Sequence, residues 1–244
     1  MKLIDYISLV KKDIISFVGA GGKTSMMFKL AEELRHSNKV LVTTTTKIYF
    51  PLEDRYDFIC TDKEALTSYV NMKENGIYIL GSSINIENKI LALDETQLEE
   101  LAPYFDYILI EADGAKEKQL KGWNEFEPVI YGKTTKTIGI IDIQSLGMVI
   151  SEDTVHRSKM FCELTGAKQG DTVKPEHLSK LVTHPKGLFK GAQGEKIIYV
   201  NKVETTKDLI LAKNLIRKIN LKDEESINEA VIGSLSTNTY SHVK

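Results

Sequence analysis

The sequence predicts an α/β fold built on one mainly parallel sheet with helices on both faces. Two observations carry that expectation. Eight short runs rich in Ile and Val alternate with stretches of helical composition, the order that strand–helix–strand units produce. Within the runs, residues are apolar almost throughout instead of alternating with polar ones, as a strand covered on both faces requires.

The elements follow in chain order. "DIISFVG" (13–19) reads as the first strand and 23–36 as the helix after it; "KVLVTTTT" (39–46) and "YDFICT" (56–61) are the next strands, with a helix over 62–71. "GIYIL" (76–80), a helix over 94–103, "YILIEAD" (107–113) and "KTIGIID" (136–142) come next. Residues 151–190 break the rhythm and read as two helices, 152–165 and 174–183, followed by the loop "HPKGLFKGAQGE", so they form a small helical insertion or cap. "KIIYVNK" (196–202), a helix over 205–219 and "EAVIGSL" (229–235) complete the pattern. In the last helix Leu209, Leu211, Ala212, Leu215, Ile216 and Ile219 fall mostly at helical spacing. A chain of 244 residues suits one domain of this class, spanning 1–244.

Bulk properties narrow the function. A net charge of −2 gives no electrostatic footprint for nucleic acid. The charged start "MKLIDYISLVKKD" has no signal-peptide core, and no apolar run is long enough to span a membrane. No membrane or nucleic-acid partner is expected, and the expected location is cytoplasmic. Cys60 and Cys162 stand far apart, without a CxxC or Cys/His cluster, so neither a disulfide framework nor a zinc site is indicated.

The first strand ends in glycines that open a helix: Gly19, Ala20, Gly21, Gly22, Lys23, Thr24, Ser25. Glycines free to take positive φ, followed by unpaired helix amides, make an anion site. Lys23 adds a cation and Thr24 a hydroxyl where a phosphate-bound Mg²⁺ would sit. The standard P-loop, G-x-x-x-x-G-K-[ST], requires glycine where Phe17 stands. The shorter G-x-x-G-K-T resembles the loop of Mur-type ligases, so a P-loop NTPase-like fold is expected. The alternative is a tight strand-to-helix turn with an exposed lysine.

Three other strand ends carry chemistry. "DYILIEADG" runs from an apolar strand into Glu111 and Asp113, which lie on one side if the strand persists. Carboxylates there can hold Mg²⁺ or orient an attacking water; the alternative is an Asp-Gly turn beside a solvated glutamate. Thr45, Thr46 and Lys47 follow the second strand and either reach phosphate oxygens or form a plain polar loop. Asn201, Lys202 and Glu204 in "NKVE" resemble the guanine-reading N-K-x-D of GTP-binding proteins, with Glu204 one methylene longer than the usual aspartate. The alternative is a turn in which Glu204 or Thr205 precedes or caps the next helix.

With "FVGAGGKTS", "VLVTTTTKI", "IEADGAK", "EPVI", "VHR" and "NKVE" in this order, the chain resembles the YqeC family. The resemblance implies an accessory protein that assists maturation of selenium-dependent molybdenum hydroxylases, with the hydroxylase or its cofactor as partner. It carries over Gly19, Gly21, Gly22, Lys23 and Thr24 as the phosphate loop, and Thr45, Thr46 and Lys47 as the threonine-lysine stretch. Glu111, Asp113, Gly114 and Lys116 fall on the acidic motif, and His156 and Arg157 on a His-Arg pair. The chain departs from the family pattern at Gln119, where a proline is expected, at Gly122-Trp123 after Lys121, and at Phe126-Glu127-Pro128, where His-Glu-Pro is expected.

The resulting expectation is a nucleotide-binding protein using Mg²⁺ with ATP or GTP, which hydrolyses the nucleotide or transfers its phosphoryl group. Lys23 and the loop amides would hold phosphates, Thr24 and Asp113 the metal, and Glu111 would act as base or metal ligand. His156 and Arg157 would reach the phosphates or a substrate, Arg157 stabilising charge. Two alternatives are a non-catalytic module that delivers a cofactor by its phosphate, and a Mur-like ATP-dependent ligase.

Overall fold

A computed structural model describes residues 1–62, 65, 74–219 and 227–243; the expected helix over 62–71 lies almost wholly outside these. The strands are β1 (Ile14–Gly19), β2 (Lys39–Thr44), β3 (Lys47–Tyr49), β4 (Phe58–Cys60), β5 (Gly76–Leu80), β6 (Lys89–Leu91), β7 (Tyr107–Glu111), β8 (Leu120–Lys121), β9 (Lys136–Asp142), β10 (Val155–His156), β11 (Glu195–Asn201), β12 (Glu229–Ser234) and β13 (Thr239–His242). The helices are α1 (Lys23–Leu34), α2 (Glu95–Leu101), α3 (Ser158–Thr165), α4 (Pro175–Thr183) and α5 (Thr206–Ile219).

The main sheet has the order β13-β12-β11-β9-β1-β7-β2-β5-β4, and only β13 runs antiparallel to its neighbour. Its apolar strands bury both faces. Ile15 and Phe17 of β1 pack with Met26, Met27 and Leu30 of α1 on one side. On the other, Ile198 and Val200 lie with Leu178, Leu181, Leu215 and Ile216 of α4 and α5, and Leu41 and Ile108 lie with Leu98 and Leu101 of α2.

Connectivity singles out one end of the sheet. From β1 the chain passes through α1 to β2 on one side, returns to β7 beside β1, then crosses to β9 on the other side. In an open parallel sheet, such a reversal leaves a crevice at the carboxyl ends of the strands. β1, β7, β9 and β11 all end there.

Local chemistry moves several expected boundaries. The second strand stops at Thr44, and Lys47 opens β3, which pairs with β6 in a separate ribbon. The strand over 107–113 ends at Glu111, so Glu111 and Asp113 do not share one continuous strand. The helix over 152–165 begins only at Ser158: Arg157 is left-handed at φ 55°, and Val155–His156 pair with Leu120–Lys121 instead. Before the last helix, Thr205 N donates to Asp208 (2.9 Å) and Asp208 N to Thr205 Oγ1 (3.1 Å), a reciprocal cap that makes Thr205, not Glu204, the capping residue. Among the described residues, no helix is long and apolar enough to cross a membrane.

Candidate functional site

The glycine loop is shaped by backbone that only glycine adopts cheaply. Gly19, Gly21 and Gly22 have φ of 101°, 80° and 137°. A Cβ at Gly19 would collide with Ile140 O, at Gly21 with the Asp142 side chain, and at Gly22 with Asn201. Two of the loop carbonyls are taken up: Gly19 O accepts from Lys23 Nζ at 2.6 Å and Gly21 O from Asn201 Nδ2 at 2.8 Å. The amides are not. α1 has no side-chain cap at Gly22, and among the described residues the N–H groups of Gly21, Gly22, Lys23, Thr24 and Ser25 have no acceptor. Unpaired amides at a helix start, with the positive end of its dipole, form an anion cradle.

Beside the cradle stands a carboxylate pair with opposed properties. Thr24 Oγ1 donates to Glu111 Oε2 at 2.5 Å. The Glu111 carbonyl is braced by Thr44 Oγ1 at 2.8 Å and Thr45 N at 3.2 Å. Burial pushes the Glu111 carboxyl above the usual carboxylate range, against the pull of Lys23 and the Thr24 hydroxyl. Asp113 is wholly buried and accepts from Trp123 Nε1 at 2.6 Å and Gly19 N at 3.2 Å. It lies 3.2 Å from Lys23 Nζ and 3.1 Å from Lys121 Nζ. Burial alone would raise its pKa too, but the two ammonium groups and the hydrogen bonds hold it below the ordinary value. Two carboxylates two positions apart are thus driven in opposite directions, a pattern of divided roles.

The charges continue outward. Lys121 Nζ also reaches Glu127 at 3.0 Å, and Arg157 grips both oxygens of Glu127. Lys23, Asp113, Lys121, Glu127 and Arg157 therefore alternate in sign from the loop to the start of α3. Lys190 Nζ fastens the adjoining segment through the carbonyls of Asn124 (2.8 Å), Glu125 (2.6 Å) and Glu127 (2.9 Å). His156 pairs in register with Lys121; its pKa is pushed down to about 4 by burial and by neighbouring Arg157 and Lys121.

On the other flank, Asp142 ends β9 fully buried and takes Lys202 Nζ at 2.5 Å and Gln144 N at 2.9 Å. Burial raises its pKa despite Lys202. Glu204 lies exposed beyond β11; Ser234 and Ser236 hydroxyls donate to its Oε1 at 2.9 and 2.6 Å.

Most expected residues converge at these strand ends: the glycine loop with Lys23, Thr24, Glu111 and Asp113, and Asn201 with Lys202. Arg157 joins through the charge chain. Thr45 turns away, its hydroxyl donating to Val129 O at 2.5 Å, and Thr46 N donates to Thr44 Oγ1 at 2.9 Å. Lys47 and Lys116 are exposed, Lys116 on a left-handed turn at φ 50°. Asp142 was readable as an acid at the end of an apolar strand, the signal that marks Glu111. Lys121, Trp123 and Glu127 belong to a connecting segment whose spacing carries no such signal. Among the described residues no cluster of three or more His, Cys, Asp or Glu could hold a metal unaided. A Mg²⁺ site of a different kind fits: the Thr24 hydroxyl and Glu111 carboxylate beside an anion cradle, since Mg²⁺ commonly binds through one or two carboxylates plus phosphates. A cavity of about 260 Å³ lies instead at the amino-terminal ends of β1 and β7, lined by Lys12, Phe105, Tyr131 and others; none of the expected site residues line it.

The family described as YqeC protein matches residues 15–159, from β1 into α3. The "Uncharacterized protein YqeC" of Escherichia coli (strain K12) is 32% identical over 230 residues, covering 92% of this chain and 90% of that protein. No solved structure matches. With both the glycine loop and the acidic strand end inside the matched segment, and the similarity running nearly end to end, the chain belongs to the YqeC family.

Proposed function

We propose that this protein binds a nucleoside triphosphate with Mg²⁺ at the carboxyl ends of β1, β7 and β9, as a P-loop NTPase-like protein, and hydrolyses it or transfers its terminal phosphoryl group. The observation that carries the reading is the row of unpaired amides from Gly21 to Ser25 beside the Thr24–Glu111 hydrogen bond. Little covalent chemistry is demanded of a phosphoryl-transfer site, which works mainly by positioning and charge.

The amides of the loop bind the phosphate chain. Lys23, already held across Gly19 O, supplies the cation. Thr24 and Glu111 hold the metal, which when bound neutralises charge on the phosphate oxygens. Asp113 Oδ2 is committed to Lys121, Trp123 and Gly19, while Oδ1 faces Lys23 at 3.2 Å as an ion pair without a hydrogen bond, so its work is to position Lys23 and the start of the loop, a departure from the metal-ligand role its sequence position suggests. Arg157 is engaged with Glu127 and acts through the charge chain. Service to a selenium-dependent molybdenum hydroxylase in the cytoplasm rests on the family resemblance.

Calorimetric titration with ATP and with GTP, each with Mg²⁺, tests the reading against Lys23→Ala and Thr24→Ala. Wild type should bind at least one nucleotide about tenfold or more tighter than either variant, a difference of about 1.4 kcal/mol. Equal binding by all three proteins sinks it. Tight binding without turnover assigns the delivery role instead of the catalytic one.

A further inference from the structure

The flank formed by β11 and β12 contains a carboxylate that the phosphate and metal roles leave unused. Glu204 is not the cap of α5, since Thr205 and Asp208 cap each other. It forms no ion pair among the described residues. It is nonetheless held in place: Ser234 and Ser236 hydroxyls donate to Oε1 at 2.9 and 2.6 Å, and Gln144 Nε2 stands 3.4 Å from Oε2. Gln144 also donates to Lys202 O at 3.2 Å. An exposed glutamate ordinarily waves in solvent; this one is oriented from two separate strand ends.

Its neighbours tie it to the glycine loop. Asn201, three positions earlier, donates to Gly21 O at 2.8 Å, and a Cβ on Gly22 would lie 3.7 Å from Leu235 Cδ1, between the two serines. Lys202 is anchored by Asp142, whose side chain also stands where a Cβ on Gly21 would fall. Asn201 Oδ1 is buried and has no hydrogen-bond partner among the described residues. A nucleotide with phosphates on the α1 amides would thus find a fixed anionic acceptor on the flank that adjoins the loop.

We infer that the base bound here is guanine, read by the Glu204 carboxylate; this rests on the nucleotide reading above. An ionised carboxylate only accepts hydrogen bonds. The Watson–Crick edge of guanine offers two adjacent donors, N1–H and the 2-amino group, which one carboxylate can take together. Adenine offers an acceptor at N1 and a single amino donor, so it sets a lone pair against the carboxylate. Rejection of the wrong partner by an unmatched polar group is how such sites discriminate.

The experiment is competition between GTP, ATP and XTP for the full chain with Mg²⁺, repeated on Glu204→Gln. Wild type should prefer GTP over ATP by roughly 10- to 100-fold, the range for one bidentate base contact. Glu204→Gln should lose that preference and gain affinity for XTP, because a side-chain amide accepts from N1–H and donates to the 2-carbonyl of xanthine. A gain of XTP binding also proves the variant folded. ATP binding as tight as GTP binding by wild type, or an unchanged GTP-to-ATP ratio in Glu204→Gln, overturns the inference while leaving the nucleotide reading intact. Failure of all three nucleotides to bind wild type overturns the parent reading and this one together.

Discussion

On the β7 flank of the glycine loop, Lys23, Asp113, Lys121, Glu127 and Arg157 lie in a line of alternating sign, and the first three are almost completely buried. On the β11 flank, the Asp142–Lys202 pair leads outward to Glu204, which is oriented by hydroxyl groups and left open to solvent. The difference is one of what each flank can lose. Buried charges are tolerable only while every one has its partner, so removing one member strands the rest. A solvated carboxylate has water to fall back on, so it is free to be spent on recognition. The first flank therefore sets the geometry of the loop, and the second is the one to which the proposed reading gives the choice of base.

The sharpest break is Asp113→Asn, which leaves two buried ammonium groups facing a neutral amide. It should cost about 3–5 kcal/mol in urea unfolding, and a loss below about 1 kcal/mol would mean the chain of charges is not a cooperative unit. Glu127→Gln comes next. Glu127 is partly exposed but serves both Lys121 and Arg157, so its loss should lower stability by about 2–3 kcal/mol in the same measurement.

The pH dependence probes the end of that flank. The unfolded chain protonates His156 near 6.5, whereas the folded protein resists until about 4. Stability from this group is complete above 6.5 and is lost as pH falls from 6.5 through 4, by about 1–2 kcal/mol given the partial exposure of the ring. Glu111 runs oppositely: with its pKa raised, the folded state takes up a proton above the ordinary carboxylate range and gains on acidification. The difference between wild-type and His156→Gln unfolding midpoints across that window isolates the histidine, and a flat difference removes it from the account.

The smallest stability effects fall where binding effects should be large. Thr24→Ala removes one hydrogen bond to Glu111 and should cost about 1 kcal/mol in unfolding, while Mg²⁺-dependent nucleotide affinity collapses. Glu204→Gln should leave the unfolding midpoint in place and move only the choice of base. Large destabilisation by Glu204→Gln would erase the contrast between the two flanks.

The elements bearing this chemistry were legible to different depths. The runs at 76–80 and 136–142 coincide with β5 and β9, because buried parallel strands need apolar side chains on both faces and say so in composition. The glycine loop was legible because its conformations exclude most other residues. Short pairings were not: β3 with β6 and β8 with β10 involve two or three residues each, too few to impose a period. Arg157 shows the same limit. Its side chain was visible as a cation, but its left-handed backbone, which delays α3 and turns the guanidinium onto Glu127, depends on the β8–β10 pairing that precedes it.

What sequence alone determined is therefore the set of strand ends at which chemistry is possible: glycines where the backbone must bend, a hydroxyl and a cation where a helix begins, acids where apolar runs stop. These follow from local rules of conformation and burial. Tertiary structure decided which of those groups are free. It committed Asp113 to two lysines and an indole, left Glu111 to Thr24, gave Thr205 the helix cap and so released Glu204. The reason is that a polar group's availability is fixed by the partners that burial brings to it, and those partners come from segments as far apart as residues 23, 121 and 234.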